Sequence, residues 1–166
     1  MISYKDLTNY FGASLSDEGF QSFLTVTFSD LSEYNILDHD YITSAITGIE
    51  LGFTNNDAVY DEDEAVVFEF GNPIFSHLNL YPKSTRLLEN LPFDISFNNE
   101  RQVIIDKAGS PLETKSGYID LLGKHSLIDL YQIDDLVVAF DYDVRTQMPM
   151  FVQVRSNVLM EEHLRL

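Results

Sequence analysis

The densest chemistry in this sequence is carboxylate. Asp61, Glu62, Asp63 and Glu64 are consecutive, Asp57 precedes them, and two further groups stand at Asp134-Asp135 and Asp141/Asp143. Paired carboxylates can perform acid–base chemistry when held at a fixed separation in a cleft. Clustered ones can bind a divalent cation or a basic partner. The run at 61–64 lacks the spaced Asp-x-Asp-x-Asp-Gly pattern and distal Glu of a calcium loop. With 27 Asp and Glu against 10 Lys and Arg, carboxylates are common throughout, which weakens any single pair as a catalytic signal.

Other reactive groups are sparse. His39, His77, His125 and His163 are far apart and form no His-x-x-x-His pair. His77 alternates with apolar neighbours in a strand-like stretch and reads as a surface or rim residue. There is no cysteine, hence no thiolate metal site or redox chemistry. A Gly-x-Ser-x-Gly elbow and a glycine-rich phosphate loop are also missing. The expectation is a protein that binds rather than catalyses, with no cofactor and no metal.

The formal net charge of −17 supports that expectation. Such a field repels nucleic acid and anionic lipid and attracts a basic protein. A basic amino-terminal segment leading into an apolar run is lacking, as is any stretch approaching the ~20 apolar residues of a membrane span. A cytoplasmic location is the default, with no nucleic-acid or membrane partner; the oligomeric state stays open.

Hydrophobic periodicity supplies the elements that must hold these groups. Ser3 with Asp6 opens a short helix reaching Phe11, with Gly12 as its cap, and Ser16 opens a second carrying Phe20, Phe23 and Leu24. Period-two alternation marks strands at Ile49–Phe53, Ile74–Tyr81, Ser126–Gln132, Leu136–Asp141 and Met150–Arg155. Val66, Phe68 and Phe70 alternate as well, Gly48 marks a bulge or turn, and Leu91–Phe97 reads as a further strand. Asn99–Ala108 reads as a helix capped by Asn98 or Asn99, with Gly109 and Pro111 ending it. The tail Asn157–Leu166 forms a last amphipathic turn or two.

The expected fold class is α+β, with two related halves at 1–84 and 85–166 sharing one compact unit. Each is a three- to four-stranded antiparallel sheet backed by one or two short helices. Gly12 matches Gly109, Phe53 matches Phe140, and Pro73-Ile74-Phe75 matches Pro149-Met150-Phe151. The offsets fall by about ten each time, which places insertions around Phe20 and between Phe53 and Pro73. Asn55–Glu64 is therefore an addition to the basic unit, and its crowded carboxylates repel within a Debye length of ~8 Å. Asp134, Asp135, Asp141 and Asp143 are expected to extend its patch.

Leu91-Pro92-Phe93-Asp94-Ile95-Ser96-Phe97, then Arg101-x-Val103 and Ala108-Gly109-Ser110-Pro111, resemble a bacterial module. Its pattern is Leu-Pro-Phe-Gly-Ile/Leu-x-Phe, a short helix with Arg-x-x-Val, then Leu-Gly-x-Pro and a β-meander. Asp94 stands in place of the glycine and Ala108 in place of the leucine. The first half, with Gly48-Ile49-Glu50-Leu51-x-Phe53, resembles the partner module upstream of it. Together they resemble immunity proteins of bacterial polymorphic, contact-delivered or type VI-like toxin systems, with halves similar to the helix-plus-meander units of β-lactamase inhibitor protein. The resemblance implies inhibition of a cognate toxin by blocking its active site and carries over no catalytic residue. A basic toxin, a nuclease among the options, suits the charge. The alternative is an acidic adaptor or chaperone-like module without a toxin; a carboxylate- or metal-dependent enzyme is a third reading.

Overall fold

Ser3 begins the first helix as its sequence predicts. Its backbone N–H donates to Asp6 Oδ2 at 2.9 Å, and its hydroxyl accepts from the Lys5 N–H at 3.2 Å, which closes a capping box. In the computed structural model, which describes residues 1–37, 40–62 and 66–166, the chain begins with β1 (Ile2–Ser3), α1 (Tyr4–Thr8) and α2 (Glu18–Thr27). Strands β2 (Tyr41–Ser44), β3 (Ile49–Thr54), β4 (Val59–Tyr60), β5 (Val67–Glu69), β6 (Ile74–Leu80) and β7 (Leu88–Asn90) follow. The remainder is α3 (Arg101–Ala108), β8 (Glu113–Ile119), β9 (Lys124–Ile133), β10 (Leu136–Tyr142) and β11 (Pro149–Ser156).

The fold is α+β. Seven strands form one antiparallel sheet in the order β2-β3-β6-β11-β10-β9-β8. The three strands of the first half and the four of the second are not two sheets; they join edge to edge where β6 pairs with β11. At that seam Leu80 faces Val152 and Leu78 faces Val154, all four fully buried. The pair β4–β5 forms a separate antiparallel ribbon, and β1 and β7 make a two-residue parallel pair. Position 84 falls within a 3-10 turn over Pro82–Arg86, and β7 just beyond it returns to β1.

The helices cover one face of the sheet. Phe20 of α2 stacks on Phe75 of β6 with ring centroids 5.1 Å apart, and Ile104 of α3 is fully buried in the same core as Val138, Phe140 and Val154. A bulge lets Phe75, Leu78 and Leu80 all face inward although their parities differ. Gly52 pairs with His77 and Phe53 with Phe75, so Ser76 is the extra residue.

Several expectations need correction. Asp17, not Ser16, caps α2, its Oδ1 accepting from the Phe20 N–H at 2.7 Å. Gly12 lies past the end of α1, and its N–H donates to the Phe75 carbonyl at 2.9 Å. Glu100 precedes α3 without a side-chain cap; Asn99 Oδ1 accepts instead from the Ser96 N–H. Leu91–Phe97 is not a strand, because Phe93 and Asp94 turn through φ of 61° and 54°. Leu91, Ile95 and Phe97 are still buried there. Val103 is exposed, since Ile104 is the residue of α3 that meets the sheet. Gly48, expected at a bulge or turn, forms the turn between β2 and β3, with φ of 61°.

Candidate functional site

Among the described residues, no α-helix lies over the second face of the sheet. Across it run Tyr41 on β2, Gly52 on β3, His77 on β6 and Arg155 on β11, aligned by strand register. His77 is buried rather than at the rim. Its Nδ1 lies 2.9 Å from Ser76 Oγ and its Nε2 3.0 Å from Tyr41 Oη. Burial, and then the positive charge of Arg155, push its pKa down to about 4, so the ring is neutral near pH 7.

Gly52 makes room for this ring. A Cβ at position 52 would fall inside the imidazole of His77. Gly52→Ala should therefore displace a ring held by two hydrogen bonds and cost about 1–3 kcal/mol, as overpacking of buried sites does. Thermal melts of the two proteins check this. An unchanged Tm would mean that the ring moves aside freely.

Arg155 donates to the Leu164 carbonyl at 2.7 Å, while its Nε is buried without a hydrogen-bond partner. That contact fastens the tail over the open face. Asn157 adds two more, donating to the Leu166 carbonyl and accepting from the Leu166 N–H. The tail contains a 3-10 turn, Glu162–Leu164. Between the tail, the open face and the root of the β4–β5 ribbon lies a cleft of about 1130 Å³, lined by Asn55, Tyr60, His77, Arg155, Glu161 and Glu162 among others.

The acidic insertion forms the ribbon. Val59 pairs with Glu69 and Tyr60 with Val67. Asp57 and Glu62 are exposed and Asp61 is half-buried; Asp63 and Glu64, like His39, lie outside the described residues. Gly71 holds the root, with φ of 62° and backbone atoms of Asp57 and Ala58 where a Cβ would sit.

The other four expected carboxylates divide into two places. Asp134 and Asp135 are exposed in the turn before β10, at the sheet end where β3 runs into the insertion and β11 runs into the tail. The Asn157 N–H donates to the Asp135 carbonyl there. Asp141 and Asp143 follow at the far end of β10, roughly 20 Å away at ~3.3 Å per residue. Asp134 and Asp135 therefore share a sheet end with the root of the ribbon, and Asp141 and Asp143 lie at the opposite end.

At that far end, Asp143 serves its own turn by accepting from the Thr146 N–H at 2.9 Å, and such backbone contacts lower its pKa. Burial raises the Asp141 pKa, with Lys124 opposing. Among the described residues no three His, Asp or Glu side chains gather as a metal site.

One ion pair was not anticipated. Arg101 of α3 reaches Asp129 of β9, with Nε to Oδ2 at 2.7 Å and Nη2 to Oδ1 at 2.9 Å. Thr114 Oγ1 of β8 donates to Asp129 Oδ1 at 2.6 Å. Asp129 is wholly buried, so this bidentate contact ties α3 to the sheet. The signal in the sequence was a lone Asp in an apolar strand.

Two further features bear on binding. Between Lys5 and Lys83 the sequence holds fourteen Asp and Glu and no Lys or Arg. The alternating row of Val66, Phe68 and Phe70 is 52%, 70% and 55% exposed, so its apolar side faces solvent. None of the described helices is long and apolar enough to cross a membrane.

No known family model and no curated protein matches this chain. Among solved structures, it is similar to an extracellular protein containing an SCP domain from Bacillus anthracis str. Ames, at 13% identity and a TM-score of 0.43. The match covers 90% of this chain and 45% of that one, so this chain spans under half of its length.

Proposed function

We propose that this is a cytoplasmic immunity protein that binds and neutralises a cognate antibacterial toxin with a basic surface, acting by obstruction and not by catalysis. The observation that carries the reading is the run of fourteen Asp and Glu between Lys5 and Lys83 with no Lys or Arg among them, in a stretch that includes a ribbon standing outside the main sheet. Crowded like charges are relieved when Lys and Arg of a partner approach them. Asp57, Asp61, Glu62, Asp63 and Glu64 are the first contact group, and Asp134 and Asp135, at the sheet end where β3 leaves for the ribbon, are the second.

Capture of partners from the native strain, with mass spectrometry of what co-purifies, tests the reading. A secreted basic toxin whose activity the protein abolishes supports it. A metabolic enzyme as the sole stoichiometric partner would instead make the chain an adaptor. With the toxin in hand, Asp61→Asn, Glu62→Gln, Asp63→Asn and Glu64→Gln together should slow association roughly tenfold at low salt and flatten its salt dependence. The Tm should stay the same or rise slightly, because repulsion is removed. Stopped-flow association at two ionic strengths is the measurement, and an unchanged on-rate would make the insertion a solvated loop.

A further inference from the structure

We infer that the β4–β5 ribbon is a docking arm whose row of Val66, Phe68 and Phe70 seats on an apolar surface bordered by Lys and Arg on a partner protein. This rests on the reading that the chain works by binding a basic protein, and it names the chemistry of the contact.

Two-stranded ribbons are marginal in water without an apolar face packed on something. This one presents its apolar row to solvent while Tyr60, on the other strand, lines the cleft beneath. Large apolar groups exposed side by side within a polar frame mark interaction sites. The ribbon and its flanks carry Asp57, Asp61, Glu62 and Glu69, with no Lys or Arg in the sequence from Asp6 to Pro82. Aromatic anchors at the centre and charge at the rim are the usual anatomy of a protein interface.

The charge selects the occupant. A second copy would bring another net −17 and the same carboxylates against this frame. Nucleic acid and anionic membrane are repelled for the same reason. A cation-bordered apolar surface satisfies both halves of the arm.

The test uses the full chain and two peptides of equal charge, an amphipathic helix of Leu and Lys and a flexible Lys/Gly/Ser chain. Binding is followed by fluorescence anisotropy at two salt concentrations. The Leu/Lys peptide should bind at least tenfold more tightly. Phe68→Ser with Phe70→Ser should remove that preference while leaving the Tm and the salt dependence in place. Asp61→Asn, Glu62→Gln and Glu69→Gln together should flatten the salt dependence and keep the preference for Leu.

Equal binding of the two peptides, no binding, or indifference to the Phe68 and Phe70 changes would overturn the arm. So would dimers that dissociate in the double Ser variant, which would make the row a self-interface, or tighter partition into phosphatidylcholine vesicles. These outcomes are separate from the capture experiment. A failed capture with peptide preference intact removes the immunity reading and leaves the arm, and the converse result does the opposite.

Discussion

Replacing Arg101 with Met should lower stability by about 3–5 kcal/mol, because it strands a fully buried carboxylate. Asp129 would lose both guanidinium contacts and keep the hydrogen bond from the Thr114 hydroxyl. For a chain of this length the loss corresponds to a fall in Tm on the order of 10 °C. Adding Asp129→Leu to the variant should recover most of the loss, since replacing both members of a buried pair by apolar groups is close to neutral. Urea titration of the parent, single and double variants measures all three states. A double variant no more stable than the single one would show that packing of the Arg101 side chain, and not its charge, holds α3 in place.

The second large effect is one of acid. The His77 pKa is depressed to about 4 in the folded protein, against 6.5 for the free side chain. As pH falls through 6.5 the unfolded chain takes up a proton that the folded one refuses. Stability from this residue is therefore lost between about pH 6.5 and pH 4 and levels off below. That difference between the folded and free side chain corresponds to about 3 kcal/mol. His77→Gln keeps a polar, hydrogen-bonding side chain but does not titrate. The difference in unfolding free energy between parent and variant should change by that amount from pH 7 to pH 4, while the general effect of the carboxylates cancels in the comparison. Parallel pH slopes for the two proteins would place the ring in contact with solvent.

How far the sequence discloses this structure depends on what each residue touches. Alternation located β3, β6, β9, β10 and β11, because each has one face on the core. It failed at β8, where every residue is exposed at the sheet edge and no apolar period exists to be read. At Leu91–Phe97 the pattern of burial was right and the backbone wrong. Phe93 and Asp94 turn through positive φ, a conformation that glycine takes without cost and Asp tolerates.

For the candidate site, the stretch between Phe53 and Pro73 stood out by its charge, and its described parts pair as β4 and β5 outside the main sheet. Asp141 and Asp143 stand at the other end of β10 from Asp134-Asp135, with residues 136–140 running between Asp135 and Asp141. Phe68 and Phe70 were read as strand residues, yet period two says nothing about which side meets the core. The pairing of Arg101 with Asp129 joins positions 28 apart and needed the fold.

The cation-free ribbon has a practical consequence for anyone handling the protein. Trypsin cuts after Lys and Arg, so no bond between Lys5 and Lys83 is a tryptic site, folded or unfolded. The β4–β5 hairpin cannot be nicked by that protease, and digestion releases Asp6–Lys83 as one long acidic peptide. Resistance to trypsin there reports composition and not compactness. Chymotrypsin at Phe68 and Phe70, or a Glu-specific protease at Glu69, reads the accessibility of the same hairpin directly.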